Sequence, residues 1–227
     1  MPTLDWLRKE FDYGYDSGHI LSIMPDNRRA EEEKKIGGSY REVFFKAVLP
    51  YLKPDSKVLE YGPGKGSWTR AILGYLPQGE LHTVDFQDVA KWLYPEINEA
   101  RLVCHQVEDN SCDFFEDDYF DFFWSFGVLC HSNTSHISEI LGNTLSKMRP
   151  SGVAVHQYGD WDKLDRYGWQ KGGIPLSFKD QGDNDIWWPR NNQQTMASIA
   201  TAAGWEVVTA DLGLVKRDSI IVMKRGK

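Results

Sequence analysis

Short apolar runs alternate with stretches of helical periodicity along most of the 227-residue chain. Apolar residues recur at helical spacing over residues 40–52, and the turn residues Pro54 and Asp55 end this helix. The apolar pair Val58–Leu59 then predicts a strand, and a second helical face begins at Trp68. This alternation of strands and helices is typical of an α/β fold built on a mainly parallel sheet.

The same alternation continues to the end of the chain. The run over residues 122–126 is apolar apart from Ser125, as expected for a parallel strand that is buried on both faces. The short connection Leu212–Leu214 indicates a hairpin, which would leave the last strand antiparallel at an edge of the sheet. We predict further strands over 81–85, 102–107, 152–158, 204–208 and 218–224, and helices over 89–101, 137–148 and 192–203.

Composition and charge narrow the class of protein. The chain is 41% hydrophobic and 26% charged, which is ordinary for one globular domain with a sizeable core. A net charge of -7 disfavours nucleic acid as a partner, because phosphate binding requires a basic face. We find no apolar run that could cross a membrane and no signal-peptide pattern, so no membrane association is expected. Three cysteines without a C-x-x-C pair predict reduced thiols and a cytoplasmic location.

A glycine-rich turn directly follows the first predicted strand. Glu60 ends the strand, and Gly62, Gly64 and Gly66 alternate after it. Glycine accepts positive φ and, without a Cβ, lets a ligand approach the backbone. The third glycine comes one residue too early for the G-x-G-x-x-G dinucleotide fingerprint, and Lys65 is followed by glycine, which excludes the G-x-x-x-x-G-K-[ST] phosphate loop.

The E-x-G-x-G-x-G pattern resembles motif I of the class I S-adenosylmethionine (SAM) methyltransferases. The resemblance covers roughly residues 40–160 by motifs and 194–224 by element pattern alone. It implies a Rossmann-like sheet of seven strands, mostly parallel with the last strand antiparallel, flanked by helices. It also implies that SAM is the cofactor and that the glycine loop packs against its methionine and ribose parts.

Further cofactor-binding residues are expected at the ends of the next strands. Asp85 ends the second strand 19 residues after Gly66, where a carboxylate can accept ribose hydroxyls. The resemblance implies that an acid after the third strand binds the adenine amino group, and both Glu108 and Asp109 stand there. Two neighbouring aromatic residues and a strand-end serine complete the expected cofactor set, which comprises Glu60, Gly62, Gly64, Gly66, Asp85, Phe86, Glu108, Asp109, Ser125 and Phe126.

Candidate catalytic residues follow the fourth and fifth predicted strands. His131 lies just past the fourth strand, where a histidine could deprotonate or orient an acceptor hydroxyl, although it could equally be a hydrogen-bonded core histidine. His136 and Asp160 are further candidates at this edge of the sheet. The segment Trp124-Ser125-Phe126-Gly127 replaces the D-P-P-Y type of motif, which argues against a nucleic-acid amino-methylating enzyme. We assign no metal site.

Two segments outside the motifs are interpreted as covers for the ligand. We predict an N-terminal cap over residues 1–39, a methyltransferase domain over 40–227, and within it a substrate lid over 160–193 that carries four tryptophans. The simpler alternative for the cap is a solvated helix with its linker, and the simpler alternative for the lid is a packed surface loop. The residues expected to contact the substrate are Tyr13, Tyr15, His19, Trp161 and Trp187.

These observations together predict a SAM-dependent methyltransferase. Its expected acceptor is an oxygen or nitrogen atom of a small molecule such as a sugar, an acid, a phenol or a natural-product intermediate. A nicotinamide-dependent oxidoreductase of the same fold is one alternative, and a SAM-binding protein without turnover is another. Because the chain is acidic, nucleic-acid methylation is the least favoured alternative.

Overall fold

The computed structural model of the chain describes residues 15–97 and 99–226. Its centre is one seven-stranded sheet with the strand order β3-β2-β1-β4-β5-β7-β6. The α/β fold predicted from the alternation of apolar runs and helical segments is therefore confirmed, as is the seven-stranded Rossmann-like sheet that the resemblance implies. The strands are β1 (Lys57–Tyr61), β2 (Glu80–Asp85), β3 (Leu102–Gln106), β4 (Phe120–Ser125), β5 (Met148–Gly159), β6 (Trp205–Thr209) and β7 (Asp218–Arg225).

Helices cover both faces of this sheet. The helices are α1 (Asn27–Ile36), α2 (Tyr40–Val43), α3 (Ser67–Leu73), α4 (Ala90–Glu96), α5 (Thr134–Leu145), α6 (Trp161–Tyr167) and α7 (Gln193–Ala202). Helices α1 to α4 contribute to one hydrophobic cluster, and α5 and α7 contribute to a second cluster on the other face. Helix α2 continues as a π-helical turn (Phe44–Val48) and a 3-10 turn (Leu49–Tyr51), so the helix predicted over 40–52 is present with irregular winding.

Successive residues of β1 point into the two clusters in turn. Val58 belongs to the first cluster and Leu59 to the second, and both side chains are fully buried. The same alternation holds in β4, where Phe122 and Phe123 are on opposite faces. A strand covered by helices on both faces needs apolar residues at consecutive positions, which explains the unbroken apolar run in this part of the sequence.

The last strand is antiparallel, as predicted, but it is not at the edge of the sheet. β7 pairs antiparallel with both β5 and β6, and β6 forms the edge. Residues Asp218 to Met223 are all buried, which is the pattern of an interior strand rather than an edge strand. The hairpin prediction for Leu212–Leu214 is therefore correct, whereas the edge position assigned to β7 is wrong.

Some element boundaries differ from the predicted ones. The helix predicted over 89–101 ends at Glu96, and the helix predicted over 137–148 begins at Thr134 because Asn133 caps it by accepting the His136 N–H. The fifth strand begins at Met148, four residues earlier than predicted. Cys104, Cys112 and Cys130 are free thiols. Among the residues that the structure describes, we find no helix with the length and apolarity needed to cross a membrane.

Candidate active site

A cavity of about 500 Å³ opens at the carboxyl edge of the sheet. Parallel strands in α/β folds end together at this edge, and ligands bind in the crevice beyond it. The cavity is lined by residues that follow β1, β2, β3 and β4, together with parts of the segments before α1 and after α6. The lining residues include Tyr15, Glu32, Lys35, Gly62, Gly64, Asp85, Phe86, Asn110, His131, Gln157, Trp187 and Arg217.

The glycine turn after β1 forms part of the cavity wall. Gly62, Gly64 and Gly66 all have positive φ, at 65°, 54° and 78°. A Cβ on Gly64 would lie 2.3 Å from the Tyr15 carbonyl oxygen, so a larger residue would clash with backbone. Gly66 is not part of the cavity wall, because it packs against α4, where a Cβ would meet Leu93 at 2.6 Å. Two of the three glycines therefore shape the cavity, and the third permits helix packing.

The segment before α1 is fastened to this turn. The Lys65 N–H donates to the Tyr15 carbonyl across 2.7 Å, and the Ser17 N–H donates to the Ser67 hydroxyl across 3.1 Å. The Trp92 indole N–H donates to the Gly64 carbonyl across 2.8 Å. The glycine turn is thus held from two sides by hydrogen bonds, which fixes its shape before any ligand binds.

Asp85 ends β2 and, with Phe86, lines the cavity as the sequence indicates. One of its carboxylate oxygens accepts the Gln87 N–H at 2.9 Å. Burial raises the pKa of this carboxyl to about 6, because little water reaches the charged form. Hydroxyl donors from a ligand would favour the ionised carboxylate, so the residue is suited to a ribose diol.

Glu60 is buried beneath the cavity wall instead of lining it. Its carboxyl accepts a hydrogen bond from the Thr69 hydroxyl at 2.7 Å, on the first turns of α3. Burial raises the pKa of Glu60 to about 8, since its side chain is shielded from water. The acid of the motif therefore connects β1 to α3, and ligand contact by Glu60 stays a prediction.

The acids after β3 are exposed and are not part of the cavity wall. Glu108 is solvated, and the Asp109 carboxylate accepts the Ser111 N–H at 2.9 Å, which lowers its pKa. The next residue, Asn110, is buried and lines the cavity. The cavity therefore offers an amide at Asn110 where the sequence suggests a carboxylate, and the alternation of exposed and buried residues in this loop could not be read from the sequence.

Ser125 and Phe126 end β4 in different environments. The Ser125 hydroxyl is buried and pairs with Nδ1 of His156 at 2.8 Å, away from the cavity. Phe126 lines the cavity and packs against Trp68 with ring centroids 4.8 Å apart. Of the two, only Phe126 reaches the ligand space.

His131 lines the cavity just after β4 and is held in one tautomer. Its Nδ1 lies 2.7 Å from the Trp187 carbonyl oxygen, and because a carbonyl can only accept, Nδ1 carries the proton. The rings of Trp187 and Trp188 pack around the imidazole, with centroids 5.8 and 5.3 Å away. Burial lowers the pKa of His131, so the ring is neutral near pH 7 with its lone pair on Nε2.

The two further catalytic candidates differ in position. His136 lines the cavity in the first turn of α5, and burial lowers its pKa. Asp160 does not reach the cavity, because its fully buried carboxylate caps α6 and accepts the Ser219 hydroxyl at 2.7 Å. Gln193 also donates to it at 3.1 Å. The hydrogen-bonding capacity of Asp160 is thus used within the fold.

Some of the residues predicted to contact the substrate line the cavity, and others do not. Tyr15 and Trp187 line the cavity, whereas His19 is exposed elsewhere and Trp161 packs against Trp169 outside the cavity wall. Tyr13 lies outside the described residues. Parts of the predicted cap and lid do line the cavity, and their function as cap and lid stays a prediction.

Several polar wall residues were missed by sequence reasoning. Glu32 and Lys35 on α1, Gln157 in β5 and Arg217 before β7 all line the cavity. Lys35 donates to Glu32 across 2.9 Å, and Glu32 also accepts the Tyr15 hydroxyl. Glu32 and Lys35 resemble an ordinary charged helix face in the sequence, and Arg217 resembles the charged entry to a strand. The pairing of these elements across the sheet brings the residues together, and no local pattern predicts it.

Comparison with known proteins places the chain in a family. The sequence model of a family described as methyltransferase domain matches residues 28–214. A segment of the highly reducing polyketide synthase verA from Penicillium polonicum is 26% identical over 184 residues, which is 77% of this chain. The match spans 7% of the length of that synthase.

Solved structures share the fold at low sequence identity. A SAM-dependent methyltransferase from Aquifex aeolicus superposes with a TM-score of 0.63 at 14% identity, covering 88% of this chain and 94% of that protein. The CurJ carbon methyltransferase gives a TM-score of 0.56 at 17% identity, covering 89% of this chain and 56% of that protein. The family match decides against the nicotinamide-dependent oxidoreductase that the glycine turn left open.

Proposed function

The chain belongs to the SAM-dependent methyltransferases of class I fold, and we propose that its acceptor is a hydroxyl oxygen of a small molecule. The observation that carries this proposal is the neutral His131, whose proton is on Nδ1 and whose Nε2 is therefore a base. A hydroxyl must lose a proton as its oxygen gains a methyl group. A nitrogen acceptor needs only to be unprotonated, so it would make no use of such a base.

The cavity wall fits the cofactor of this family. Gly62 and Gly64 line the cavity without side chains, the Asp85 carboxyl is available to hydroxyl donors, and Phe86 and Asn110 continue the wall. These five residues are the ones that would hold SAM. When bound, SAM supplies an electrophilic sulfonium methyl group for in-line transfer. The contribution of the protein is then to orient the acceptor and remove its proton.

We infer that His131 acts as the general base. The Trp187 carbonyl fixes the ring orientation and the tautomer, and the surrounding tryptophan rings keep the imidazole neutral. An acceptor hydroxyl that donates to Nε2 would transfer its proton there as the oxygen is methylated. His136, in the same cavity, is the alternative position for this base.

The wall on the acceptor side supports a small organic molecule. Trp187, Trp188 and Ile174 supply apolar surface, and a few polar groups are interspersed among them, which is the usual composition of a small-molecule site. The net charge of -7 supports the absence of a nucleic-acid partner. A cytoplasmic location remains part of this proposal.

Methylation of a carbon atom is the second candidate. A base at His131 could equally take a proton from the carbon next to a carbonyl group, which makes that carbon nucleophilic. The match to a polyketide synthase segment and the fold shared with a carbon methyltransferase favour this candidate. Both candidates use the same base and differ in the atom that receives the methyl group.

Transfer of a labelled methyl group distinguishes the candidates. The purified chain is incubated with methyl-labelled SAM and pools of phenols, alcohols, amines and 1,3-diketones, and each product is analysed by mass spectrometry and NMR. We expect O-methyl products that form at a strongly reduced rate with His131→Asn. Products methylated only on nitrogen, at a rate that His131→Asn leaves unchanged, would refute the proposal.

A further inference from the structure

A buried arginine forms part of the cavity wall on the acceptor side. Arg217 directly precedes β7, lines the cavity and is 9% exposed. Its guanidinium binds the neighbouring Asp218 carboxylate through Nε at 2.9 Å and through Nη2 at 2.8 Å. Burying a charge is costly unless it is paired, and this two-point contact supplies the pairing.

The remaining N–H groups of Arg217 are only partly used by the fold. Nη1 donates to the Gly172 carbonyl at 2.9 Å, and the guanidinium carbon lies 4.6 Å from the centre of the Trp188 ring. Within residues 15–97 and 99–226, one N–H on Nη1 and one on Nη2 have no hydrogen-bond partner. Arg217 can therefore donate two further hydrogen bonds at the wall of a ligand cavity.

A second layer of contacts fixes this arginine in place. The Gln157 side chain donates to the Asp218 carboxylate at 2.7 Å and accepts the Gly127 N–H at 2.8 Å. A Cβ on Gly172 would lie 3.0 Å from Cδ of Arg217, so the arginine stem is tightly enclosed. The guanidinium is thus preorganised, and a ligand would bind it without paying for side-chain ordering.

The charges around Arg217 indicate which kind of ligand oxygen would accept its two remaining N–H groups. Asp218 compensates Arg217, and Glu32 compensates Lys35, so the ionic groups on this side of the cavity are already paired. A carboxylate on the acceptor would bring a buried negative charge without a free counterion, which is unfavourable. A neutral carbonyl oxygen has two lone pairs and adds no charge, so it matches two available N–H donors.

We propose that Arg217 recognises a carbonyl oxygen of the acceptor, which defines the acceptor class as hydroxyl compounds that also carry a ketone, ester or amide. This inference rests on the proposed function, because it assigns the acceptor side of the same cavity. Asp218 and Gln157 are positioning residues for Arg217.

The test compares three probes of similar size on the full chain loaded with S-adenosylhomocysteine. Calorimetry measures the affinities for 4-hydroxyacetophenone, 4-ethylphenol and 4-hydroxybenzoate, which differ in carrying a ketone, no second oxygen and a carboxylate. We expect the ketone to bind about tenfold more tightly than the ethyl compound, as one to two buried hydrogen bonds would give. We expect the carboxylate to gain no such advantage.

The variant R217M/D218N removes the N–H donors of Arg217 and also replaces the Asp218 carboxylate with a neutral amide. No buried carboxylate is therefore left without a counterion. The variant should bring the ketone and ethyl affinities within about twofold of each other while S-adenosylhomocysteine still binds. R190M is the matched control, because Arg190 also lies over a tryptophan ring, at 4.6 Å from Trp161, but outside the cavity wall. R190M should keep the preference for the ketone.

An unchanged ketone preference in R217M/D218N would overturn the inference, as would tighter binding of the carboxylate or no binding of the ketone by the loaded protein. Methyl transfer to the phenol oxygen is measured separately. If the ketone preference depends on Arg217 but no oxygen is methylated, the oxygen acceptor is wrong and the Arg217 subsite stands.

Discussion

The Nδ1 atom of His131 donates to the backbone carbonyl of Trp187 across 2.7 Å. This contact joins the turn after β4 to the segment that precedes α7, which are 56 residues apart in the sequence. It gives one imidazole a defined tautomer inside the ligand cavity. The proposed chemistry depends on this contact, because the opposite tautomer would present a donor where a base is needed.

Replacing His131 with asparagine removes the proposed base but keeps a donor for the Trp187 carbonyl. The asparagine amide can still donate to the Trp187 carbonyl, but nothing replaces the lone pair of Nε2. We expect the turnover number to fall roughly 10²- to 10⁴-fold, the usual contribution of a general base, with cofactor affinity unchanged. Single-turnover kinetics and cofactor titration measure the two quantities, and near-normal turnover would exclude His131 as the base.

The rate should also depend on pH in a defined direction. Burial lowers the pKa of His131, so the base is protonated and inactive only in acid, below the usual histidine value of about 6.5. We expect kcat/KM to rise with pH through this acidic range and to be level by neutral pH. A profile that rises only above pH 7 would point to another base.

Asp85 is expected to control cofactor affinity. Replacement by alanine removes the acceptor of the ribose hydroxyls and should weaken S-adenosylhomocysteine binding about 10- to 100-fold. Because burial raises the pKa of Asp85 to about 6, affinity in the unchanged protein should also decline as pH falls below this value. Calorimetric titrations at several pH values test both effects, and the alanine variant should lose the pH dependence.

Gly64 in the glycine turn and Gly142 in α5 provide a matched pair of substitutions. Gly64→Ala places a Cβ 2.3 Å from the Tyr15 carbonyl at a φ of 54°, so it should cost about 1–3 kcal/mol and weaken cofactor binding. Gly142→Ala in α5 meets no atom within 4 Å and should stabilise the helix by about 0.5–1 kcal/mol. Urea unfolding measures both free energies, and equal effects would contradict the shape assigned to the turn.

Glu60 should make the cofactor-free protein less stable as pH rises. Its folded pKa of about 8 exceeds the ordinary value of 4.5, so the folded state retains a proton that the unfolded state releases. The stabilising contribution is complete below pH 4.5 and is lost as pH rises to about 8, by up to about 1.4 kcal/mol per pH unit. Glu60→Gln does not titrate, so unfolding free energies between pH 5 and pH 8.5 should lose this slope.

The fold and part of the cavity wall were predictable from the sequence, because both depend on local patterns. Apolar runs identify the buried strands, and the spacing of Gly62, Gly64 and Asp85 follows the edge of a parallel sheet. The insertion of β7 between β5 and β6 was not predicted, since it depends on pairing between distant segments. Arg217 in the cavity wall was missed for the same reason.

Burial also separates residues that look alike in the sequence. Ser125, Asp160 and Glu60 are polar residues at or beyond strand ends, where ligand contact is expected, yet each is occupied by a partner within the fold. Asn110 follows two acids in the sequence, but it alone of the three lines the cavity. Sequence position thus identifies the edge of the sheet, whereas side-chain packing decides which residues face the ligand.

The contact that orients His131 comes from the main chain of Trp187, while the same residue also lines the cavity on the side proposed for the acceptor. Natural variation at position 187 would therefore change which acceptors fit without removing the carbonyl that holds the imidazole. In divergent members of the family, single substitutions at position 187 would change the preferred acceptor. The proposed base, His131, would keep its orientation. Position 187 is for the same reason the residue to vary first in directed evolution of the acceptor range.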